Sequence, residues 1–248
     1  MDRLKKCFEQ LNIKWNEEKA SLYEAYMDEI IRLNDSVNLT SITDRDEFIL
    51  KHYIDSITCA DCDEFDEADD IIDVGTGGGF PGIPLAIAFP KKRFVLVDSL
   101  NKRINIINEL CAKLGINNVK AIHGRAEELA RRGEMREKFD LCISRAVANM
   151  STLSEYCLPF VKVGGTFIAY KGPNCKEELQ EAENAVEQLG GEVYGVFYNE
   201  LDGVELDHVL VYVAKINSTP KKYPRKAGTP AKQPLEGIYN LIIKECFT

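Results

Sequence analysis

The segment "IIDVGTGGGFPGIPLAI", residues 71–87, carries the residues whose types and spacing could do chemistry. Its glycines fall into two overlapping patterns. Gly77, Gly79 and Gly82 make the G-x-G-x-x-G of a dinucleotide fold, where a helix N-terminus receives an anionic pyrophosphate. Gly75, Gly77 and Gly79 make G-x-G-x-G with Asp73 just ahead, the arrangement of S-adenosylmethionine enzymes. Both patterns leave backbone N–H groups free at a helix start and let a ligand approach the main chain. Asp98 follows the loop by about twenty residues, where a carboxylate accepts both hydroxyls of a ribose, and either ligand presents that ribose. Asp73 separates the two patterns. A carboxylate beside the loop repels a pyrophosphate and attracts the ammonium and sulfonium of S-adenosylmethionine. Its rival role is to cap the turn with its own side chain.

Positioning these residues requires a sheet. From Asp70 onward, short β-rich runs alternate with helical ones, the signature of β-α-β units and a mostly parallel sheet. The strands are "DIIDV", "RFVLVDS", "NVKAIHG", "FDLCISRA" and "GGTFIAYKG". A helix over 82–89 follows the first strand, with Pro84 in its first turn, and Gly115 stops a second helix that begins at Asn101. After the helix "CKEELQEAENAVEQL", the runs "EVYGVFYNE" and "HVLVYVAKI" are joined by a short turn-like segment and read as an antiparallel hairpin at one sheet edge. The first sixty residues read as helices. Leu22, Tyr26, Ile30 and Leu33 recur at helical spacing after the capping residue Asn16, and a second segment follows Thr43. The expected organisation is a helical extension over 1–68 packed on the core, a core over 69–216, and a basic tail over 217–248.

A chain of 248 residues with 45% hydrophobic content suffices for one buried core plus an appendage. No apolar run reaches membrane-spanning length, and the N-terminus "MDRLKKCFEQLNIKW" is charged, so the expectation is a cytoplasmic protein without a membrane partner. Eight scattered cysteines are expected as reduced thiols. Cys59 and Cys62 form a lone C-x-x-C without a second Cys or His pair, so no structural metal is expected. The formal charge of −9 opposes wholesale coating of a polyanion. That charge is unevenly spread: residues 61–70 are almost all acid, whereas 208–235 contain no acid and six Lys or Arg.

The ordered motifs "NDSVNLTSI", "KHYIDSI", "DVGTGGGFPGIPLAI", "LVDSLNKR", "GRAEE", "ISRAVA" and "YKG" resemble the RsmG (GidB) family of bacterial small-subunit ribosomal RNA guanine-N7 methyltransferases. The resemblance covers residues 34–171, and the tail "YPRKAGTPAKQPL" is similar to that of many members. It implies an α/β fold of the Rossmann-like class I S-adenosylmethionine-dependent type. That is a mostly parallel seven-stranded sheet with an antiparallel edge hairpin and an N-terminal helical extension. It also implies methyl transfer from S-adenosylmethionine to N7 of a guanine in the 530 loop of 16S rRNA (guanine-527 in the family's usual rRNA numbering), with the RNA or the small ribosomal subunit as partner. The cofactor would lie against Gly75, Phe80, Ala126, Glu127 and Arg145, with Gly77, Asp73 and Asp98 beside them. Asp73 and Asp98 end predicted strands one and two, the other positions lie just after strands one, three and four, and open parallel sheets bind ligands at the carboxyl ends of their strands. A solvated helix-start acid is the rival for Glu127, and a structural ion pair the rival for Arg145.

Guanine N7 has an in-plane lone pair that needs no prior loss of a proton, so no general base is named and catalysis rests on alignment. His52, His123 and His208 are expected to be structural or RNA-facing, and Cys142 sits in an apolar strand. RNA contact is expected from Arg145 and Lys171 near the opening, Lys102 and Arg103 beside Asp98, and Lys221, Lys222, Arg225 and Lys226 in the tail. Two other readings stay open: a nicotinamide-dependent oxidoreductase, favoured by the overlapping glycine pattern, and a non-catalytic RNA-binding assembly factor, favoured by the basic tail.

Overall fold

The computed structural model describes residues 1–145 and 147–235, so the tail expected beyond residue 235 lies outside the described residues. Two helices open the chain, α1 (Asp2–Gln10) and α2 (Glu17–Val37). Asn16 starts α2 as read from the sequence: its side chain accepts the Lys19 N–H at 2.9 Å, satisfying one of the free donors of the first turn. The buried stripe of α2 runs through Tyr23, Tyr26, Met27 and Ile30, while Leu22 and Leu33 lie at its half-exposed margins. A continuous helical stretch follows, comprising α3 (Arg45–Phe48), a π-helical turn (Ile49–Ile54), α4 (Asp55–Ile57) and a 3₁₀ turn (Thr58–Ala60), and then α5 (Asp63–Glu67).

The core alternates strands and helices in chain order: β1 (Asp70–Val74), α6 (Gly82–Ala88), β2 (Arg93–Asp98), α7 (Asn101–Leu114), β3 (Val119–His123), α8 (Ala126–Leu129), β4 (Phe139–Arg145), α9 (Met150–Cys157), β5 (Val161–Lys171), α10 (Lys176–Gln188), β6 (Gly191–Tyr198) and β7 (Val209–Lys215). Among the described residues these strands form one seven-stranded sheet in the order β3-β2-β1-β4-β5-β7-β6. β1 to β5 pair in parallel, and β7 runs antiparallel between β5 and β6. The expected edge hairpin is therefore present. Its connection, residues 199–208, is longer than a tight turn because Leu201 packs inward and Arg3 and Gln10 of α1 hold the loop backbone.

Strand β1 reads as an apolar run because both of its faces are covered. Ile71 joins the core on one side with α2, α6 and α7, whereas Ile72 and Val74 join the core on the other with α9 and α10. The N-terminal helices share the first of these cores. Tyr23 donates its hydroxyl to the Pro84 carbonyl at 2.5 Å, Tyr26 to Gly78 at 2.8 Å, and Tyr53 to Tyr23 at 2.6 Å, all out of water. Buried phenols need such acceptors; those of Tyr23 and Tyr26 belong to α6 and the glycine loop, and that of Tyr53 to α2. A short helix, α11 (Thr229–Lys232), ends the described chain. Among the described residues no helix is long and apolar enough to cross a membrane, and the seven described cysteines are free thiols.

Because the extension and the sheet share a core, urea unfolding should be a single transition. Tyr53→Ala should lower its free energy by about 3–5 kcal/mol, the usual cost of removing a buried aromatic ring. Circular dichroism and tryptophan fluorescence, which reports from Trp15 in the extension, should give coincident midpoints.

Candidate functional site

The loop after β1 sits where the strand order reverses, with β2 on one side of β1 and β4 on the other, the position at which open α/β sheets bind ligands. Gly75, Gly77 and Gly79 all have positive φ, so the left-handed backbone falls on the G-x-G-x-G pattern. Gly75 is required twice over: a Cβ there would also collide with the side chain of Val147. Gly82 is needed for a different reason. A Cβ there would meet Asp73 Oδ2 at 2.8 Å and Leu96 at 2.9 Å, so it permits close packing of α6 on the sheet.

Asp73 is wholly buried beneath this loop. Its Oδ2 accepts the Thr76 hydroxyl at 2.7 Å and the Gly82 N–H at 2.9 Å, and its Oδ1 is buried without a hydrogen-bond partner. These are the contacts of a residue that closes a turn. Burial pushes its carboxyl up to about 6, against the hydrogen bonds from Thr76 and Gly82 and the charge of Arg145. Asp73 does not line the adjoining cavity.

That cavity, of about 110 Å³, is lined by Val74, Gly75, Val97, Asp98, Ser99, Gly124, Arg125, Ala126, Glu127, Val147 and Tyr156. It brings together three groups expected at a cofactor: the first glycine of the loop, Asp98, and the Ala126–Glu127 pair. Asp98, 6% exposed, accepts the Gly77 N–H at 3.0 Å on Oδ2 and the Leu100 N–H at 2.8 Å on Oδ1, and Arg103 stands 3.6 Å away. Each oxygen keeps lone-pair capacity for a further donor, as a ribose diol requires. Glu127 is buried, and its Oε1 accepts the Gly228 N–H at 2.8 Å. The donor set therefore fits an adenosyl group. Residues Val74, Val97, Ser99, Gly124, Arg125, Val147 and Tyr156 were not singled out from the sequence; all but Tyr156 lie within two residues of a singled-out position, and Tyr156 arrives only through the fold.

Phe80 and Arg145 lie apart from this cavity. Phe80 is buried and stacks on His52 with ring centroids 4.2 Å apart, while Arg145 lies 5.8 Å from the Phe80 ring. Arg145 donates to Asp55 Oδ2 at 2.6 Å, to the Lys51 carbonyl at 2.8 Å and to His52 Nδ1 at 3.2 Å. Asp55 also holds His208 at 3.2 Å, and His52 holds Thr40 at 2.6 Å. Burial and the Arg145 charge lower His52 to about 3, so its ring is neutral. Burial raises the Asp55 carboxyl, but its His208 and Arg145 partners outweigh this and leave it below the usual range. The segment "KHYIDSI" thus supplies a polar hub joining the N-terminal extension to the end of β4. Its signal in the sequence is a His and an Asp three residues apart on a helix, interleaved with the apolar Ile49, Tyr53, Ile54 and Ile57.

The cations expected to face RNA divide into two groups. Lys102 is exposed and Arg103 partly so, both at the start of α7. Lys171 is drawn into an ion pair with Glu178 at 2.5 Å and donates to the Ala148 carbonyl at 3.0 Å. Lys221, Lys222 and Lys226 are exposed. Arg225 instead turns inward to Glu155, a fully buried carboxylate, at 2.6 Å. Residues 217–235 are docked on the core: Arg131 and Arg136 donate to the carbonyls of Pro224 and Tyr223, and Tyr223 packs against the α9/α10 face.

Residues 19–202 match the model of the family described as rRNA small subunit methyltransferase G. The chain is 51% identical over 235 residues to the ribosomal RNA small subunit methyltransferase G of Clostridium perfringens, covering 95% of this chain and 98% of that one. It is 44% identical over 233 residues to the protein of the same name from Alkaliphilus metalliredigens, covering 94% and 98%. Among solved structures, an O-methyltransferase from Bacillus cereus in complex with SAH is similar with a TM-score of 0.51 at 16% identity, over 77% of this chain and 90% of that one. This last likeness is one of fold.

Because Asp73 has a higher pKa folded than unfolded, the folded state binds more protons between about pH 4 and 6. Its contribution to stability is present below about pH 4 and is lost as pH rises through 6. In urea titrations, the stability of the wild type relative to Asp73→Asn should fall across this window, by at most about 1.4 kcal/mol per pH unit, and level off above it. A difference independent of pH would show that Asp73 does not titrate there.

Proposed function

The chain belongs to the rRNA small subunit methyltransferase G family, and from that premise we propose that it transfers a methyl group from S-adenosylmethionine to N7 of a guanine in the 530 loop of 16S rRNA (guanine-527). It would do so in the cytoplasm, on the RNA or on the small ribosomal subunit. The observation that supports this reading most is the convergence of Gly75, Asp98 and Glu127 on one cavity at the carboxyl ends of β1, β2 and β3. Asp98 would accept the ribose hydroxyls, the Ala126–Glu127 turn would meet the adenine edge, and Gly75 and Gly77 would let the backbone approach the ligand. Asp73 would act through the loop as a buried negative charge rather than by direct contact. The bound donor supplies an electrophilic methyl group.

The protein's own contribution is alignment, which can account for about 7–11 kcal/mol of a barrier. Guanine N7 presents its lone pair in the ring plane and needs no base. The three histidines fit that expectation, because each is already engaged: His52 with Thr40 and Arg145, His123 with the Ser99 carbonyl and His208 with Asp55. Arg145 and Phe80 would hold the far wall of the site through the His52–Asp55 hub. Lys102 and Arg103 flank Asp98 and are the cations proposed to meet phosphate there, joined by the exposed Lys221, Lys222 and Lys226.

The test is transfer of labelled methyl from S-adenosylmethionine to small subunits from cells lacking the modification, with the modified nucleotide mapped by cleavage at N7-methylguanine. One site in the 530 loop is expected. Asp98→Ala should weaken binding of S-adenosylhomocysteine by about tenfold to a hundredfold, as for loss of hydrogen bonds to a charged group. Label at another nucleotide would overturn the substrate. Binding of NADH with none of S-adenosylhomocysteine would overturn the reaction.

A further inference from the structure

Two walls of the cavity come from short helices that lie outside the sheet. Glu127 belongs to α8, a single four-residue turn, and Tyr156 to α9, of eight residues. Helices this short do not hold themselves and take their positions from what they pack against. Residues 219–230 run across both. On the α8 side, the Gly228 N–H reaches Glu127 Oε1 at 2.8 Å, and Arg131 donates through Nε to the Pro224 carbonyl at 3.0 Å. On the α9 side, Arg225 donates to both oxygens of Glu155 through Nε and Nη2 and to Oε1 through its own backbone N–H, and Thr152 donates to the Pro230 carbonyl at 3.2 Å. Glu155 immediately precedes Tyr156.

The Arg225–Glu155 contact is not optional. Glu155 is fully buried, and among the described residues its hydrogen bonds all come from Arg225. A buried carboxylate without its partner is strongly destabilising, so the segment is held down. Gly228, with φ +81, then presents its N–H to Glu127 in a left-handed conformation that suits glycine. The other Glu127 oxygen has no hydrogen bond among the described residues.

We infer that residues 219–230 form a clasp that fixes Glu127 and Tyr156 across the cavity, with Arg225 and Gly228 as positioning residues, so that docking of the clasp and binding of the adenosyl ligand are coupled. This rests on the reading of the cavity as the adenosyl site. The basic segment then serves the cofactor first, through its inward face, and any RNA contact falls to the outward Lys221, Lys222 and Lys226. Coupling of this kind is reciprocal: what the clasp adds to ligand affinity, the ligand adds to the docking of the clasp.

The test uses the full chain with S-adenosylhomocysteine as probe. In the wild type, the ligand should slow tryptic cleavage after Lys221, Lys222 and Lys226. Arg225→Gln should raise the dissociation constant by about tenfold, within the usual range of linked sites, and should abolish most of the protection. Arg225→Lys, which keeps the charge and loses the planar fork, should fall between. If Arg225→Gln does not fold, the doubly neutral Arg225→Gln/Glu155→Gln leaves no buried charge and should show the same loss of affinity. In methyl transfer, the KM for the donor should rise while the KM for small subunits stays unchanged. Unchanged affinity for S-adenosylhomocysteine in a folded variant, or a rise only in the KM for small subunits, would overturn the clasp. A wild type that binds no S-adenosylhomocysteine would take the reading of the cavity down, and the clasp with it.

Discussion

A carboxylate taken wholly out of water must find donors, and Asp73 finds them in the loop that follows it. Its hold on Thr76 and Gly82 bends residues 75–82 back over the end of β1. That curvature places Gly75 and Gly77 beside Asp98, whose own carboxylate caps the Gly77 N–H, so two acids on neighbouring strands shape one backbone turn. The packing around the site depends on this turn. The Gly78 carbonyl on its outer side receives the Tyr26 hydroxyl, and Phe80 carries His52. The N-terminal helices therefore pack on the glycine loop itself, and the extension is part of the site's foundation.

Three walls meet around that turn, and each is held by a buried charge. The Arg145–Asp55 pair ties the end of β4 to the helical extension, with side chains 9% and 2% exposed. Arg225 and Glu155 tie the last described segment to α9. Asp98, with Arg103 at its side, closes the β2 end. Buried pairs contribute little net stability, because desolvation offsets their attraction, but breaking one is costly. The Asp98 and Glu155 charges flank the cavity and the Arg145–Asp55 pair braces the extension apart from it, a distribution that fits a scaffold whose task is to fix geometry.

Much of this was legible in the sequence. The alternation of β-rich and helical runs points to the parallel sheet, and the last two strands, with no helix between them, point to its mixed edge. The cap at Asn16 and the stop at Gly115 are local chemistry, and the structure uses both. Asp73 takes the turn-capping role that stood beside the cofactor role in the sequence, and its facing has a local signal. It shares a strand face with Ile71, which packs toward α2 and α6, whereas Val74 on the opposite face lines the cavity. Arg225 shows a different limit. A run of Lys and Arg free of acids looks outward, and only the fold reveals a single buried acid, Glu155, seventy residues away. The role of "KHYIDSI" depended likewise on an arginine that arrives from β4.

The central claim is that the small cavity between Gly75, Asp98 and Glu127 seats the adenosyl end of the methyl donor. A crystal structure of the full chain with S-adenosylhomocysteine measures this directly. The account predicts ribose hydroxyls within hydrogen-bond distance of Asp98, the adenine against Ala126 and Glu127, and residues 219–230 docked as described. Ligand density on another face of the sheet, or at the loop with Asp98 turned away from the ribose, would contradict it.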